Sequence, residues 1–221
     1  MSGLPELLRS LRVWDPAVTE LPPLDPAGAP GDPLELFTRW FAEAARAGER
    51  EPHTVSLATV DAEGLPDVRV VMLHGADPDG WAFATHADSR KGRQLAARPY
   101  AALVFYWPSL GRQVRLRGPV AVAPAEEARA DLHARSTGAL AAALTGRQSA
   151  ELGSTDELAR ASEAAWERAG REPDTPVPSW TLYRLRPDEV EFFQGDARRR
   201  HVRLSYRRTE GDGWERRLLW P

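Results

Sequence analysis

Apolar residues recur with a period of two from about residue 54 to 122, with a period near four from about 125 to 170, and with a period of two again to the end. The alternating segments are Thr54–Asp61, Val68–Leu73, Trp81–Thr85, Tyr100–Trp107 and Gln113–Val122, then Thr181–Arg186, Glu189–Phe193, His201–Arg208 and Trp214–Trp220. Ala62-Glu63-Gly64 predicts the turn of a first hairpin, the PSLGR segment joins a second, and Gly211-Asp212-Gly213 predicts a third. Only one short helix, from about Ser89 to Ala97, interrupts the first block. Parallel strands need a crossover helix each, so this order predicts an antiparallel barrel, mainly β with a helical insert (α+β), and not a doubly wound sheet.

The insert, about 125–170, is rich in Ala, Glu and Arg and reads as two or three helices broken near Ser136-Thr137-Gly138 and Gly153-Ser154. Before the strands, Asp32-Pro33 opens a helix with an N-cap carboxylate and a first-turn proline. Leu34, Phe37, Phe41, Ala44 and Ala45 give it an apolar face, and Gly48 ends it. Residues 1–31 are Pro-rich and read as an arm with little regular structure, laid across a partner or the domain itself. Leu4, Leu7, Leu8, Leu11 and Trp14 are its apolar anchors. The remainder, 32–221, is one domain.

Several function classes are excluded. There is no cysteine, hence no disulfide, thiolate metal site or cysteine nucleophile. The five histidines have no ligand spacing, so no metal site is expected. A net charge of -3 argues against an electrostatic nucleic-acid binder. No apolar run approaches the ~18 residues of a membrane span, and the N-terminus lacks a secretory pattern, which gives a cytoplasmic expectation. Nucleophile elbow, Walker loop, zincin and dinucleotide fingerprints are all missing.

What remains is an anion-binding set. Thr85-His86-Ala87-Asp88-Ser89-Arg90-Lys91-Gly92 lies where a strand ends and a helix begins. Helix-start N–H groups, the hydroxyls of Thr85 and Ser89, and Arg90-Lys91 there converge on one phosphate; the other reading is a helix start with solvated charges. Lys91 is the single lysine among 29 basic residues, in a chain whose composition presses towards arginine. An ammonium is a compact point charge suited to phosphate. Further on, Arg199, His201 and Arg203 would share one face of a strand, where they repel each other unless an anion lies opposite.

In order, DPLELFTRWFAEA, EPHTVSLATVDAEGLPDVRVVML, ATHADSRKGRQLA, ALVFYW followed by RQV, GRQS, VEFFQGD to RHVRLSY and the closing Trp220-Pro221 resemble the pyridoxamine 5′-phosphate oxidase family of flavoproteins, from Asp32 to Pro221. The resemblance implies an FMN-binding split β-barrel and a homodimer holding two FMN molecules at its interface. It implies FMN contacts for Arg69, Thr85, Arg90, Lys91, Gln113, Gln148, Ser149, Phe193 and Arg203, with Phe193 in place of the family's tryptophan. Arg203 would set positive charge near the flavin and raise its potential. Arg199 and His201 match the residues over the substrate ring and are the candidate catalytic pair.

The family holds its substrate's phosphate with Lys, Tyr, Arg and Ser, where this chain has His74, Asp131, Arg135 and Ala139. A carboxylate at 131 repels a phosphate. The amino-terminal substrate-closing segment is not recognisable in RSLRVWDP. The pattern is similar to the family's secondary-metabolism branch, the phenazine-type flavin oxidases, which the THADS sequence before Arg90 also resembles. It implies an FMN-dependent oxidase passing hydride from a small reduced or amine-bearing ring to FMN, with O₂ as acceptor and H₂O₂ as product. The alternatives are a genuine pyridoxine/pyridoxamine 5′-phosphate oxidase and a non-enzymatic flavin-binding module.

Overall fold

A computed structural model describes residues 3–11, 14, 15, 17, 19–211 and 213–221. In chain order the elements are α1 (Leu4–Ser10), α2 (Pro33–Arg46), β1 (Thr54–Val60), β2 (Pro66–Met72), β3 (Gly75–Asp77), β4 (Gly80–His86), α3 (Arg90–Ala97), β5 (Tyr100–Trp107), β6 (Arg112–Val122), α4 (Ala125–His133), α5 (Thr137–Thr145), α6 (Thr155–Arg171), β7 (Trp180–Leu185), β8 (Glu189–Gln194), β9 (Val202–Arg208) and β10 (Trp214–Leu219). None of the helices among the described residues is long and apolar enough to cross a membrane.

The chain forms two units by internal contacts. The larger holds residues 53–104 and 116–188. In it β1 pairs antiparallel with β2, Leu57 opposite Arg69, and with β5, Leu57 opposite Leu103. β4 pairs antiparallel with β3 and β7, and β7 continues onto the end of β6. Alternation explains the core: Val55, Leu57 and Thr59 of β1 are buried while their neighbours are only partly covered. Phe83 stacks on Tyr183 with ring centroids 5.5 Å apart. The insert is the three helices α4 to α6. Ser136 and Ser154 cap the last two, each accepting from the N–H three residues on. Leu132, Leu140, Ala141, Ala143 and Ala169 make its own small core.

The other unit holds 1–52, 105–115 and 189–221. Here β8, β9 and β10 form an antiparallel meander, and β8 adjoins β6. Asp32 caps α2 by accepting from the Leu34 N–H at 2.8 Å, with Pro33 in the first turn. The buried face of α2 is Leu36, Phe37, Trp40 and Ala44. The expected face was rotated by part of a turn: Ala45 is exposed, whereas Leu36 and Trp40 carry the packing. Phe37 meets Phe105 at 5.0 Å and Trp40 meets Phe192 edge-on at 5.2 Å. Fully burying each such side chain stabilises by about 1.5–3 kcal/mol.

The amino-terminal arm departs from its reading in two respects. Leu4–Ser10 is a short helix, and Leu4, Leu7, Leu8 and Leu11 are all more than half exposed, so they anchor nothing within the subunit. Trp14 does act as an anchor: a Cβ added to Gly195 would come within 2.5 Å of its ring. Pro30 O accepts from the Tyr206 hydroxyl at 2.8 Å. The third hairpin turn includes Asp212, outside the described residues, and is closed by Thr209 N–H donating to Gly213 O at 2.9 Å.

Candidate functional site

In the larger unit the end of β4, the start of α3, strand β2 and the loop 146–149 border a cleft of about 520 Å³. The period of β2 turns Asp67, Arg69 and Val71 to one side, half-buried, and leaves Val68, Val70 and Met72 exposed on the other. The Arg69 guanidinium is pinned on several sides. Nη1 donates to Thr59 Oγ1 at 2.6 Å and Leu57 O at 3.2 Å, and Nη2 donates to Gln94 Oε1 at 2.9 Å and pairs with Asp67 at 2.8 Å.

Helix α3 begins with Ser89 accepting from Gly92 N–H at 3.2 Å. Ser89 is wholly buried, so its hydroxyl is a helix cap and not the anion ligand the sequence suggested. Gly92 allows the close turn, since a Cβ there would fall 2.2 Å from Ala87 O. Lys91 is 8 % exposed; its ammonium donates to Thr85 Oγ1 at 3.0 Å and Gln148 Oε1 at 2.9 Å, both neutral acceptors. Burial pushes its pKa down, the charge of Arg69 adds to that, and Asp67 only partly offsets it. Thr85 also donates to Gln148 at 2.9 Å, and Arg90 N–H donates to Ser149 Oγ at 3.1 Å. Arg147 (φ 54) and Ser149 (φ 75) flank Gln148 in the left-handed region. Non-glycine residues there carry strain of about 1–3 kcal/mol each, of the kind that clusters at ligand sites.

Arg69, Arg90 and Lys91 thus bring three cations to one cleft, and Lys91 has no acidic hydrogen-bond partner among the described residues. A buried ammonium held only by neutral groups is stabilised by an arriving anion. The donor set therefore fits the phosphate of a mononucleotide such as FMN, to which Lys91, Arg90 and Arg69 would offer positive charge.

His74 lines the same cleft, and behind it lies a network the sequence did not disclose. His74 Nδ1 donates to Asp131 Oδ2 at 2.8 Å, while Arg135 reaches both oxygens of Asp131, at 3.1 and 3.3 Å. Burial alone would raise the Asp131 pKa; the bonds from His74 and Arg135 outweigh it and hold the carboxyl below its ordinary range. Arg135 is therefore committed to Asp131. Ala139 sits in the first turn of α5, its N–H donating to Ser136.

The other expected residues, Gln113, Phe193, Arg199, His201 and Arg203, belong to the smaller unit. The common strand face expected for Arg199, His201 and Arg203 is not found, because β9 starts only at Val202. Asp196 Oδ1 accepts from the N–H groups of Arg198 and Arg200, folding 196–200 into a turn in which Arg199 takes φ 66. Arg199 is exposed there. His201 Nδ1 accepts from Asp196 N–H at 3.0 Å, which places the ring hydrogen on Nε2. Its ring lies between Phe193, 5.1 Å away, and the edge-on Trp14, 5.8 Å away. Arg203 is not an isolated positive charge: Nε and Nη2 each donate to buried Glu191 at 2.9 Å, and Nη1 donates to Trp220 O at 2.8 Å.

Asp67 and Trp180, both lining the cleft, escaped the sequence reading. Asp67 had a signal, since it stands two residues before Arg69 on one strand face. Trp180 had none, because it reaches the cleft from a strand about 90 residues further on.

Comparison with known proteins agrees with this assembly. Residues 41–169 match the pyridoxamine 5′-phosphate oxidase family, and residues 180–221 match the pyridoxine 5′-phosphate oxidase C-terminal dimerisation region. A pyridoxine/pyridoxamine 5′-phosphate oxidase of Burkholderia multivorans is 44% identical over 90% of this chain and 93% of its own. A Pseudomonas putida protein of the same name is 42% identical over 88% and 91%. The crystal structure of PhzG from Burkholderia lata, in complex with tetrahydrophenazine-1-carboxylic acid, superposes with a TM-score of 0.85 at 32% identity, covering 91% of this chain and 99% of that one. With its antiparallel split-barrel strands, helical insert and matched motifs, the chain belongs to the pyridoxamine 5′-phosphate oxidase family.

Proposed function

We propose that the protein is an FMN-dependent oxidase of a small reduced or amine-bearing ring that carries no phosphate, a phenazine-type compound being the best match, with O₂ as acceptor and H₂O₂ as product. The observation that carries this reading is the His74–Asp131–Arg135 network. It fills the family's phosphate-gripping positions with an ion pair closed on itself, so at those positions a phosphorylated substrate meets a carboxylate whose arginine is already paired. The likeness to PhzG supports the same direction.

FMN, when bound, supplies the two-electron acceptor for the substrate's C–H bond. Lys91, Arg90 and Arg69 hold its phosphate, and Thr85, Gln148 and Ser149 add neutral hydrogen bonds. Gln113, Phe193 and Arg203 are proposed as further flavin contacts. Arg203 brings a charge already balanced by Glu191, which weakens its expected pull on the potential. His201, oriented by the Asp196 N–H, presents an Nε2–H donor to the substrate, and exposed Arg199 steers it. The functional unit is a homodimer, supported by the match at 180–221.

The test gives the yellow, FMN-loaded protein either a dihydrophenazine carboxylate or pyridoxamine 5′-phosphate and follows peroxide and oxidised product. Higher kcat/KM on the dihydrophenazine is expected. A second reading, a genuine pyridoxine/pyridoxamine 5′-phosphate oxidase, is favoured by the curated relatives at 44% identity. Efficient oxidation of pyridoxamine 5′-phosphate decides for it, and no turnover of either decides for a flavin-binding module.

A further inference from the structure

One oxygen of Asp67 is surrounded as a phosphate oxygen would be. Oδ2 meets Arg69 Nη2 at 2.8 Å, Arg90 Nε at 3.1 Å and Gln94 Nε2 at 3.3 Å, on the border of the cleft. These two arginines are, with Lys91, the cations assigned above to the cofactor's phosphate. The carboxylate is not required to hold Arg69, which Thr59 Oγ1, Leu57 O and Gln94 Oε1 already fix. Arg90 is 67% exposed, so pairing with Asp67 adds little to stability. The consequence of Asp67 therefore falls on the charge of the cleft, where it offsets one of three cations.

Resting on the FMN reading, we propose that Asp67 is an internal competitor for the cofactor's phosphate, a residue that sets how tightly FMN is held and keeps it exchangeable. A phosphate arriving at Arg69 and Arg90 either displaces the carboxylate or lies against it, and like charges at contact repel in both cases. A flavin lacking the phosphate never meets this competition. Asp67 thus narrows the preference for FMN over riboflavin that the three cations alone would give.

The experiment uses the full-length protein, stripped of flavin and titrated with FMN or riboflavin while flavin fluorescence is followed, in wild type and in Asp67→Asn. Removing the negative charge is expected to tighten FMN by about tenfold or more, the scale of one charge-assisted contact, and to slow its release. Riboflavin affinity is expected to stay where it was. FMN affinity that is unchanged or weaker in Asp67→Asn overturns the proposal, as does equal tightening of riboflavin. Should that variant fail to fold, Asp67→Ser answers the same question. If wild type takes up no FMN, the cofactor reading fails separately. The role of Asp67 is then read from thermal stabilisation by inorganic phosphate, which must be larger in the variant for the proposal to stand.

Discussion

Replacing Lys91 by methionine keeps most of the side chain's apolar stem and removes its charge, which separates the effect on ligand affinity from the effect on protein stability. Lys91 is 8 % exposed, its ammonium is bonded among the described residues only to Thr85 and Gln148, and its charged form is disfavoured by burial and by Arg69. A lysine whose pKa is lower in the folded than in the unfolded chain costs stability while it stays protonated, so its loss relieves the apoprotein. The ammonium's two hydrogen bonds, worth about 1.5–3 kcal/mol each because the donor is charged, are lost in exchange and offset that relief, leaving apoprotein stability close to wild type. FMN affinity loses a charge-assisted contact of about 1.5–3 kcal/mol, or roughly tenfold to a little over a hundredfold in Kd. Denaturant titration of the apoprotein and fluorescence titration with FMN measure the two quantities on one preparation. Unchanged FMN affinity, or an apoprotein destabilised by more than the two lost hydrogen bonds explain, refutes the assignment of Lys91 as a phosphate ligand.

Restoring the family's residues with His74→Lys, Asp131→Tyr and Ala139→Ser should raise kcat/KM for pyridoxamine 5′-phosphate. The combined variant should gain more than the sum of the singles, because His74 and Asp131 are bonded to each other; steady-state kinetics of all seven variants measures the coupling. Sedimentation at micromolar concentration should find an FMN-loaded dimer, and a stable FMN-loaded monomer would contradict the dimeric reading. Glu191→Ala should destabilise by about 1–3 kcal/mol, the cost of removing a hydrogen-bonded carboxylate from arginines that solvent still reaches; chemical denaturation reads this directly. Burial raises the Glu191 pKa, but the bonds from Arg203 and Arg115 outweigh it and hold the group below 4.5. Its contribution is therefore complete above the unfolded value and lost as pH falls through the lower folded one, so Glu191→Gln should flatten the acid limb of stability against pH.

Local rules carried the elements a long way. The hairpin of β1 and β2, the capped start of α2 and the breaks before α5 and α6 are all written in residues a few positions apart. Ordered motifs likewise located the cleft bordered by Arg90 and Lys91, because β4 and the start of α3 are adjacent in sequence. Where sequence reading went astray, a local competitor had intervened: Asp196 bends 196–200 into a turn, and the alternation that would have aligned Arg199, His201 and Arg203 never begins. Only tertiary structure could decide the charge partners. Nothing in the sequence, with 57 positions separating the two, says that His74 donates to Asp131, nor that Asp67 divides itself between Arg69 and Arg90. Pattern and propensity are properties of neighbours along the chain, whereas the sign and availability of a charge depend on what the fold sets against it within a few ångströms.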